Sequence, residues 1–114
     1  MDELQVTARL RIHEGALETF LTVAQACVES VRDKDKGTLQ YDWFLNADRT
    51  ECVVHERYVN SDAVLEHMGN LGDTLGALLD AADMSLEVCG SPSEELAAAS
   101  EGMDIKVYSF FQAP

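Results

Sequence analysis

Glu56 and His67 are the two residues whose types and spacing could support acid–base chemistry. Alternation along residues 51–58 places Glu56 on one side of a predicted strand, the side expected to face a helix. His67 lies three residues after Val64 and four before Leu71, so it belongs to the apolar stripe of a predicted helix. We therefore expect both side chains in the gap between sheet and helix, where a carboxylate would orient the imidazole and raise its basicity. Such a base could take the proton of a phenol.

Each of these two residues also has a purely structural interpretation. His67 could be a histidine satisfied within the packing of its helix. Glu56 could form a buried ion pair with Arg9 or Arg11. The sequence leaves the structural and the catalytic interpretations open.

Aromatic residues near this pair predict a pocket for a ring. Tyr41, Trp43 and Tyr58 fall on the helix-facing side of their predicted strands, and Met68 follows His67 directly. Large apolar side chains with polar tips suit the binding and orientation of an aromatic substrate, although they could also be core residues.

Length and charge restrict the possible partners. The 114 residues suffice for one domain, 1–114, with a thin core that dimerisation would enlarge. Eight Lys and Arg against 21 Asp and Glu give a net charge of −13, which repels nucleic acid and anionic membranes. The three cysteines, Cys27, Cys52 and Cys89, have apolar neighbours and no CxxC spacing, so reduced core thiols are expected.

Several classes of site and location are not predicted by any motif. The first ten residues have neither a basic start nor an apolar run, and no apolar window is long enough to span a membrane, so a cytoplasmic location is expected. The three histidines have no HxH or HxxxH spacing, so no metal site is predicted. Phosphate-binding glycine loops and the G-x-S-x-G elbow are also absent from the sequence.

The pattern of apolar residues predicts the element order β-α-β-β-α-(α)-β-(α)-β. Alternation predicts five strands, at 6–12, 39–45, 51–58, 84–88 and 105–111. Helical spacing predicts helices at 15–33, 61–71, 75–82 and 92–100. Ser61 is the predicted N-cap of the second helix, and Ser91-Pro92-Ser93-Glu94 the capping box of the last. This order favours a ferredoxin-like α+β fold, with an antiparallel sheet and helices on one face.

The sheet face away from the helices combines charged and aromatic residues. It is predicted to carry Thr7, Arg9, Arg11, Gln40, Asp42, Phe44, Ser85, Glu87, Tyr108 and Phe110. Aromatic residues and arginines are enriched at interfaces, so this composition favours a homodimer with two sheets packed face to face. A solvated face of an antiparallel sheet is the alternative.

The sequence resembles the antibiotic biosynthesis monooxygenase (ABM) family of dimeric α+β barrels over roughly residues 6–111. The resemblance rests on the order and spacing of several short pieces rather than on any one of them. These are the first strand and its Gly15-led helix, the Tyr41 and Trp43 strand, Glu56-Arg-Tyr58, Ser61-Asp-Ala63, Glu66-His67, and the late Ser-Pro-Ser-Glu-Glu-Leu helix before a Tyr-Ser-Phe strand.

This resemblance implies a homodimer that oxygenates a small aromatic or quinol substrate with O₂ and without flavin, haem or metal, so no cofactor is predicted. His67 would be the base or orienting group, Glu56 its partner, and Tyr41, Trp43, Tyr58 and Met68 the substrate pocket. A haem-degrading branch of the same superfold resembles the chain less, because Trp43 lies on the second strand and no asparagine is well placed on the first. A non-catalytic ligand-binding barrel, and an isomerase or lyase with a histidine base, remain as alternatives.

Overall fold

A computed structural model of the chain describes residues 2–114, in which five strands form one mixed sheet. The strands are Leu4–Ile12 (β1), Thr38–Leu45 (β2), Glu51–Tyr58 (β3), Ala82–Cys89 (β4) and Ile105–Tyr108 (β5). Their order is β2-β3-β1-β4-β5, and the first four pair antiparallel. β5 runs parallel to β4, so the prediction of a wholly antiparallel sheet was wrong at this edge. A helix-containing crossover between β4 and β5 permits the parallel pairing.

Four helices complete the predicted element order, and the fold is ferredoxin-like α+β. They are Leu17–Lys34 (α1), Ser61–Leu71 (α2), Asp73–Ala81 (α3) and Glu94–Ala99 (α4). Their buried residues pack on one face of the sheet in two clusters, one around Phe20 and Leu10 and the other around Tyr58 and Leu4. None of the helices among residues 2–114 is long and apolar enough to cross a membrane.

Both predicted helix caps were displaced by one or two residues. Asn60, rather than Ser61, caps α2, because its side-chain oxygen accepts a 2.9 Å hydrogen bond from the backbone N–H of Ala63. Ser93, rather than Ser91, caps α4, which places Pro92 before the helix instead of at its first position. In both cases two side chains close together in the sequence can form a cap, and the helix is capped by the one that was not predicted.

Two of the three cysteines lie in the core as expected. Cys27 and Cys52 are buried free thiols, and burial raises the pKa of each to about 11. Cys89 is exposed, which corrects the prediction that it is a core residue. It pairs with exposed Gln5 of β1 on the outer side of the sheet, because alternation along β4 turns it away from buried Val88.

The outer sheet face has the predicted mixture of side chains. Phe44 and Tyr108 are each about half exposed, and Arg9 lies 3.6 Å from Glu87 in an exposed ion pair. Phe44 also packs against the imidazole of His55 with the rings nearly edge to face. Phe110 is exposed but lies beyond β5, which ends at Tyr108 instead of continuing to residue 111 as predicted.

Gly37, between α1 and β2, allows close contact with α2. A Cβ atom at Gly37 would lie 2.5 Å from the Cβ of Ala63 and 3.0 Å from Cγ2 of Val59. We expect Gly37→Ala to lower the free energy of unfolding by roughly 1–3 kcal/mol, because α2 would have to move outward. Denaturant titration would measure this change.

Gly76→Ala is the matched control for this substitution. Gly76 lies in α3, and an added Cβ would meet nothing within 4 Å. The same methyl group should therefore stabilise the helix by about 0.5–1 kcal/mol. Equal effects of the two substitutions would contradict the proposed close packing of Gly37 on α2.

Candidate active site

His67 is a buried histidine held by a carboxylate. It lies in the middle of α2 with only 5% of its surface exposed, and its Nδ1 is 2.8 Å from Oδ2 of Asp35. The Asp35 side chain is itself 1% exposed. Because an ionised carboxylate can only accept hydrogen bonds, Nδ1 carries the proton and Nε2 keeps its lone pair. His67 therefore has the tautomer of an oriented base.

Asp35 is held in place by hydrogen bonds to α1, β2 and α2. It follows the last residue of α1, and its backbone N–H donates to the carbonyl of Val31. Its carboxylate accepts hydrogen bonds from Thr38 Oγ1 at 2.7 Å and from Asn70 Nδ2 at 2.8 Å. Three donors satisfy a charge that would otherwise be costly to bury.

The predicted pairing of Glu56 with His67 was wrong, since Asp35 takes that place. Glu56 instead accepts a short hydrogen bond from the hydroxyl of Tyr58, two residues along β3. Both side chains point to the helix side of the sheet, as alternation predicted. The interpretation of Glu56 as the partner of Arg9 is also wrong, because Arg9 lies on the outer face with Glu87.

Burial shifts the two ionisable groups of the site in opposite directions. It raises the pKa of Glu56 to about 7, against the lowering effect of the Tyr58 hydrogen bond. It lowers the pKa of His67 below 6.5, against the raising effect of Asp35. Near neutral pH the site therefore contains an unprotonated imidazole together with a carboxyl group that is protonated in a substantial fraction of molecules.

Aromatic rings surround His67 as predicted. The Tyr41 ring centroid is 5.0 Å from that of His67, and the Tyr58 centroid is 5.4 Å away. Trp43 packs edge-on against Tyr41 at 5.7 Å. The indole Nε1 of Trp43 is buried without a hydrogen-bond partner among residues 2–114, which is uncommon for a buried donor.

A cavity of about 280 Å³ connects these side chains. Its wall includes Tyr41, Trp43, Glu56, Tyr58, His67 and Met68, all six of the predicted site residues. The rest of the wall is almost entirely apolar and extends under α3 and α4 to β5. The structure thus brings the predicted residues together around one space.

Sequence reasoning missed Asp35, Thr38 and Asn70. Asp35 lies in the charged segment DKDKG, where a solvated helix end is the simplest interpretation of an acidic residue. No spacing relative to His67, 32 residues later, marks it as a partner. Among residues 2–114, no three His, Cys, Asp or Glu side chains cluster in a way that could hold a metal ion.

Comparison with known proteins shows a family match. The model of the family described as "Antibiotic biosynthesis monooxygenase" matches residues 4–71, which contain every acid, base and aromatic residue of the cavity described above. No curated protein matches the sequence significantly.

Three solved structures with the same fold are each less than 25% identical to this chain. MupZ from Pseudomonas fluorescens is 21% identical over 99% of this chain and 93% of its own, with a TM-score of 0.84. Rv0793 from Mycobacterium tuberculosis is 23% identical over 81% of this chain and 97% of its own, with a TM-score of 0.69. SnoaB, a cofactor-independent oxygenase from Streptomyces nogalater, is 18% identical over 82% of this chain and 96% of its own, with a TM-score of 0.67. These TM-scores show a shared fold.

Replacing Glu56 by Gln tests the raised pKa of this carboxyl group. Glutamine resembles the protonated carboxyl group at every pH. A glutamate in water ionises near pH 4.5, whereas the buried Glu56 keeps its proton until about pH 7. The wild-type protein loses the stabilising effect of the bound proton over that interval. We therefore expect Glu56→Gln to gain stability relative to the wild type as pH rises from about 4.5 to 7, by at most about 3 kcal/mol.

Chemical denaturation across this pH range would measure the difference. Glu51→Gln is the matched control, because Glu51 is an exposed residue of the same strand. A stability difference between Glu56→Gln and wild type that does not change with pH would show that Glu56 has an ordinary pKa.

Proposed function

The chain belongs to the antibiotic biosynthesis monooxygenase family, and we propose that it oxygenates a phenol or quinol with O₂ and without a bound cofactor. The observation that carries this proposal is the buried Asp35–His67 pair at the wall of a largely apolar cavity. A base in such a place can ionise a phenol while water is kept from the ring.

His67 would begin the reaction by accepting the phenolic proton on Nε2. Its lowered pKa keeps the imidazole unprotonated at neutral pH, and Asp35 stabilises the imidazolium that forms. The phenolate is electron-rich, so it can pass an electron to O₂. Oxygen insertion then follows at the ring.

The overall reaction balances without an external reductant. One oxygen atom of O₂ is inserted into the product, as a carbonyl oxygen from a phenol or as a hydroxyl oxygen from a quinol. The other leaves as water with two hydrogens from the substrate. A phenol is oxidised to a quinone and a quinol to a hydroxyquinone, so O₂ is fully reduced by the four electrons released. The protein is required only to deprotonate, orient and enclose the substrate.

Tyr41, Trp43 and Tyr58 would orient the ring in this proposal. Burial raises the pKa of both tyrosines, so their hydroxyls stay protonated. The Tyr58 hydroxyl donates to Glu56, so in this proposal Tyr41 is the tyrosine that donates to the substrate. A substrate oxygen that reached Trp43 Nε1 would give that buried N–H its missing partner. Met68 would contribute a flexible apolar contact.

An isomerase or lyase remains as a second candidate, because Glu56 favours proton transfer. A carboxyl group with a pKa of about 7 can donate a proton on one side of a substrate while His67 accepts one on the other. This reaction would need no O₂. A binding protein without activity has less support, because the cavity is open and its wall is mainly apolar rather than blocked by polar side chains.

The outer sheet face supports the further proposal of a homodimer. It presents half-exposed Phe44 and Tyr108 beside the Arg9–Glu87 and Arg57–Glu3 ion pairs. Aromatic groups next to paired charges suit a sheet-to-sheet interface, in agreement with the family resemblance. Two copies packed in this way would form a barrel.

The monooxygenase proposal is tested first by O₂ consumption. Metal-free protein with a panel of hydroquinones should take up O₂ above the protein-free rate, and a chelator should not reduce it. His67→Ala should lower the rate by about 10²–10⁴-fold because the base is lost. His13→Ala should not, because His13 pairs with Asp83 outside the cavity.

Asp35→Asn separates an orienting role from mere stability. Loss of the carboxylate removes the interaction that raises the pKa of His67, so the fall in rate on acidification should move to lower pH.

Full activity of His67→Ala would show that another group is the base. Substrate turnover at the same rate without O₂ would favour the isomerase or lyase.

The homodimer is tested by sedimentation of wild-type protein and a variant of the outer face. Phe44→Lys should shift the protein to a monomer, because the proposed interface would have to bury a charge in place of an exposed aromatic ring. Leu79→Lys is the control, since Leu79 is exposed on α3, on the other side of the sheet. A monomeric wild type at micromolar concentration would rule out the proposed dimer.

A further inference from the structure

The floor of the cavity consists of two rows of residues that cross the whole sheet. In the first row, Tyr41 of β2 pairs with Glu56 of β3, Glu56 with Val6 of β1, Val6 with Val88 of β4, and Val88 with Val107 of β5. All five residues line the cavity. The row therefore changes from hydrogen-bonding side chains at β2 and β3 to valines at β1, β4 and β5.

In the second row, only β2 contributes a side chain that can donate a hydrogen bond. Trp43 is followed across the sheet by Val54, Ala8, Leu86 and Ile105, and all of them line the cavity. Three inter-strand spacings of about 4.8 Å separate β3 from β5, so the apolar floor extends about 14 Å beyond Glu56. That distance exceeds the length of one aromatic ring.

The two ends of the cavity also differ in their access to solvent. At the acid–base end, Tyr58 is 0% and His67 is 5% exposed, and Tyr41, Trp43 and Glu56 are partly buried. At the other end, Val107 is 52% exposed and Ala97 of α4 is also exposed, although both line the cavity. A ligand would therefore enter over α4 and β5 and place its polar group at the closed end.

Residues after the family match build the open end. The matched segment, 4–71, contains Tyr41, Glu56, Tyr58 and His67. The apolar wall at α4 and β5 comes from later residues, including Leu96, Met103, Ile105 and Val107. The acid–base end thus lies in the segment shared with the family, and the open end lies outside it.

The charge around the open end disfavours an anionic ligand there. α4 and the loop after it carry Glu94, Glu95, Glu101 and Asp104, with Lys106 on β5 as a basic neighbour. The apolar wall disfavours a charge of either sign, so a ligand group at this end should be uncharged and apolar.

We infer that the substrate is a phenol or quinol with an uncharged apolar side chain, bound ring-first with that side chain along the floor toward Val107. This inference rests on the proposed function for its reacting ring. The apolar side chain follows from the two rows, the open end and the exposure difference. A single ring would leave the apolar end of the cavity unfilled. A substrate with an apolar side chain would fill it.

Binding of para-alkylphenols tests the role of the ligand's apolar side chain. Under argon no O₂ is present, so binding is measured without turnover. Trp43 is the single tryptophan of the chain and lines the cavity, so its fluorescence reports occupancy, and calorimetry provides an independent measurement. From para-methylphenol to para-heptylphenol, the dissociation constant should fall about three- to fourfold per methylene. Heptanol, which lacks the ring, should bind more weakly than para-heptylphenol. A carboxylate at the end of the chain should weaken binding.

A matched pair of variants tests where the alkyl side chain of the ligand lies. Ala97→Phe places a ring at the open end and should flatten the dependence of affinity on chain length. Ala98→Phe adds the same ring on an exposed residue of α4 that does not line the cavity, so the wild-type dependence should remain. An affinity independent of chain length in the wild type, or an unchanged dependence in Ala97→Phe, would overturn the inference.

The same series distinguishes this inference from the proposed reaction. If long-chain phenols bind as expected but no alkylhydroquinone increases O₂ uptake, the monooxygenase proposal fails and the binding mode stands. If hydroquinone is oxidised and bound as well as its heptyl derivative, the inference about the side chain fails and the monooxygenase proposal stands.

Discussion

The hydrogen bond between Asp35 and His67 is the interaction on which the arrangement of the cavity depends. Asp35 lies where α1 ends, and its carboxylate also binds Thr38 of β2 and Asn70 of α2. A buried carboxylate is tolerated only while its donors are present, because an unpaired charge in this place would cost several kcal/mol. The same requirement that holds α1, β2 and α2 together therefore also fixes the tautomer of the imidazole.

Burial then gives the site both an acid and a base from ordinary residue types. Removal from water disfavours the charged form of each group, which raises the pKa of Glu56 and lowers that of His67. Tyr58 hydrogen-bonds to Glu56, and Asp35 to His67, so each group keeps a distinct local partner. Two neighbouring groups with opposite proton-transfer roles near neutral pH follow from this single physical cause. The proposed monooxygenase reaction uses the base directly, and the isomerase or lyase alternative would use both groups.

Most of the fold followed from the spacing of apolar residues. Alternation and helical periodicity predicted all five strands and the four helices in the right order, because side-chain direction is set by the local backbone. The direction of β5 was not predictable in this way, since parallel and antiparallel strands alternate with the same period. The caps of α2 and α4 were missed for a local reason. Asn60 and Ser61 are both good cap residues, as are Ser91 and Ser93, and their three-dimensional geometry decides between them.

The side chains that face the cavity were predictable from local patterns in the chain. Tyr41, Trp43 and Glu56 alternate to the inner side of their strands, and His67 lies on the apolar stripe of its helix, so local periodicity was sufficient. The identity of the carboxylate that holds His67 depends instead on long-range packing. Glu56 and Asp35 are equivalent acceptors in chemical terms, and the choice depends on how the end of α1 meets α2. The length and open end of the cavity were likewise decided by the packing of α4 and the parallel addition of β5, because contacts between distant segments leave no periodic trace in the chain.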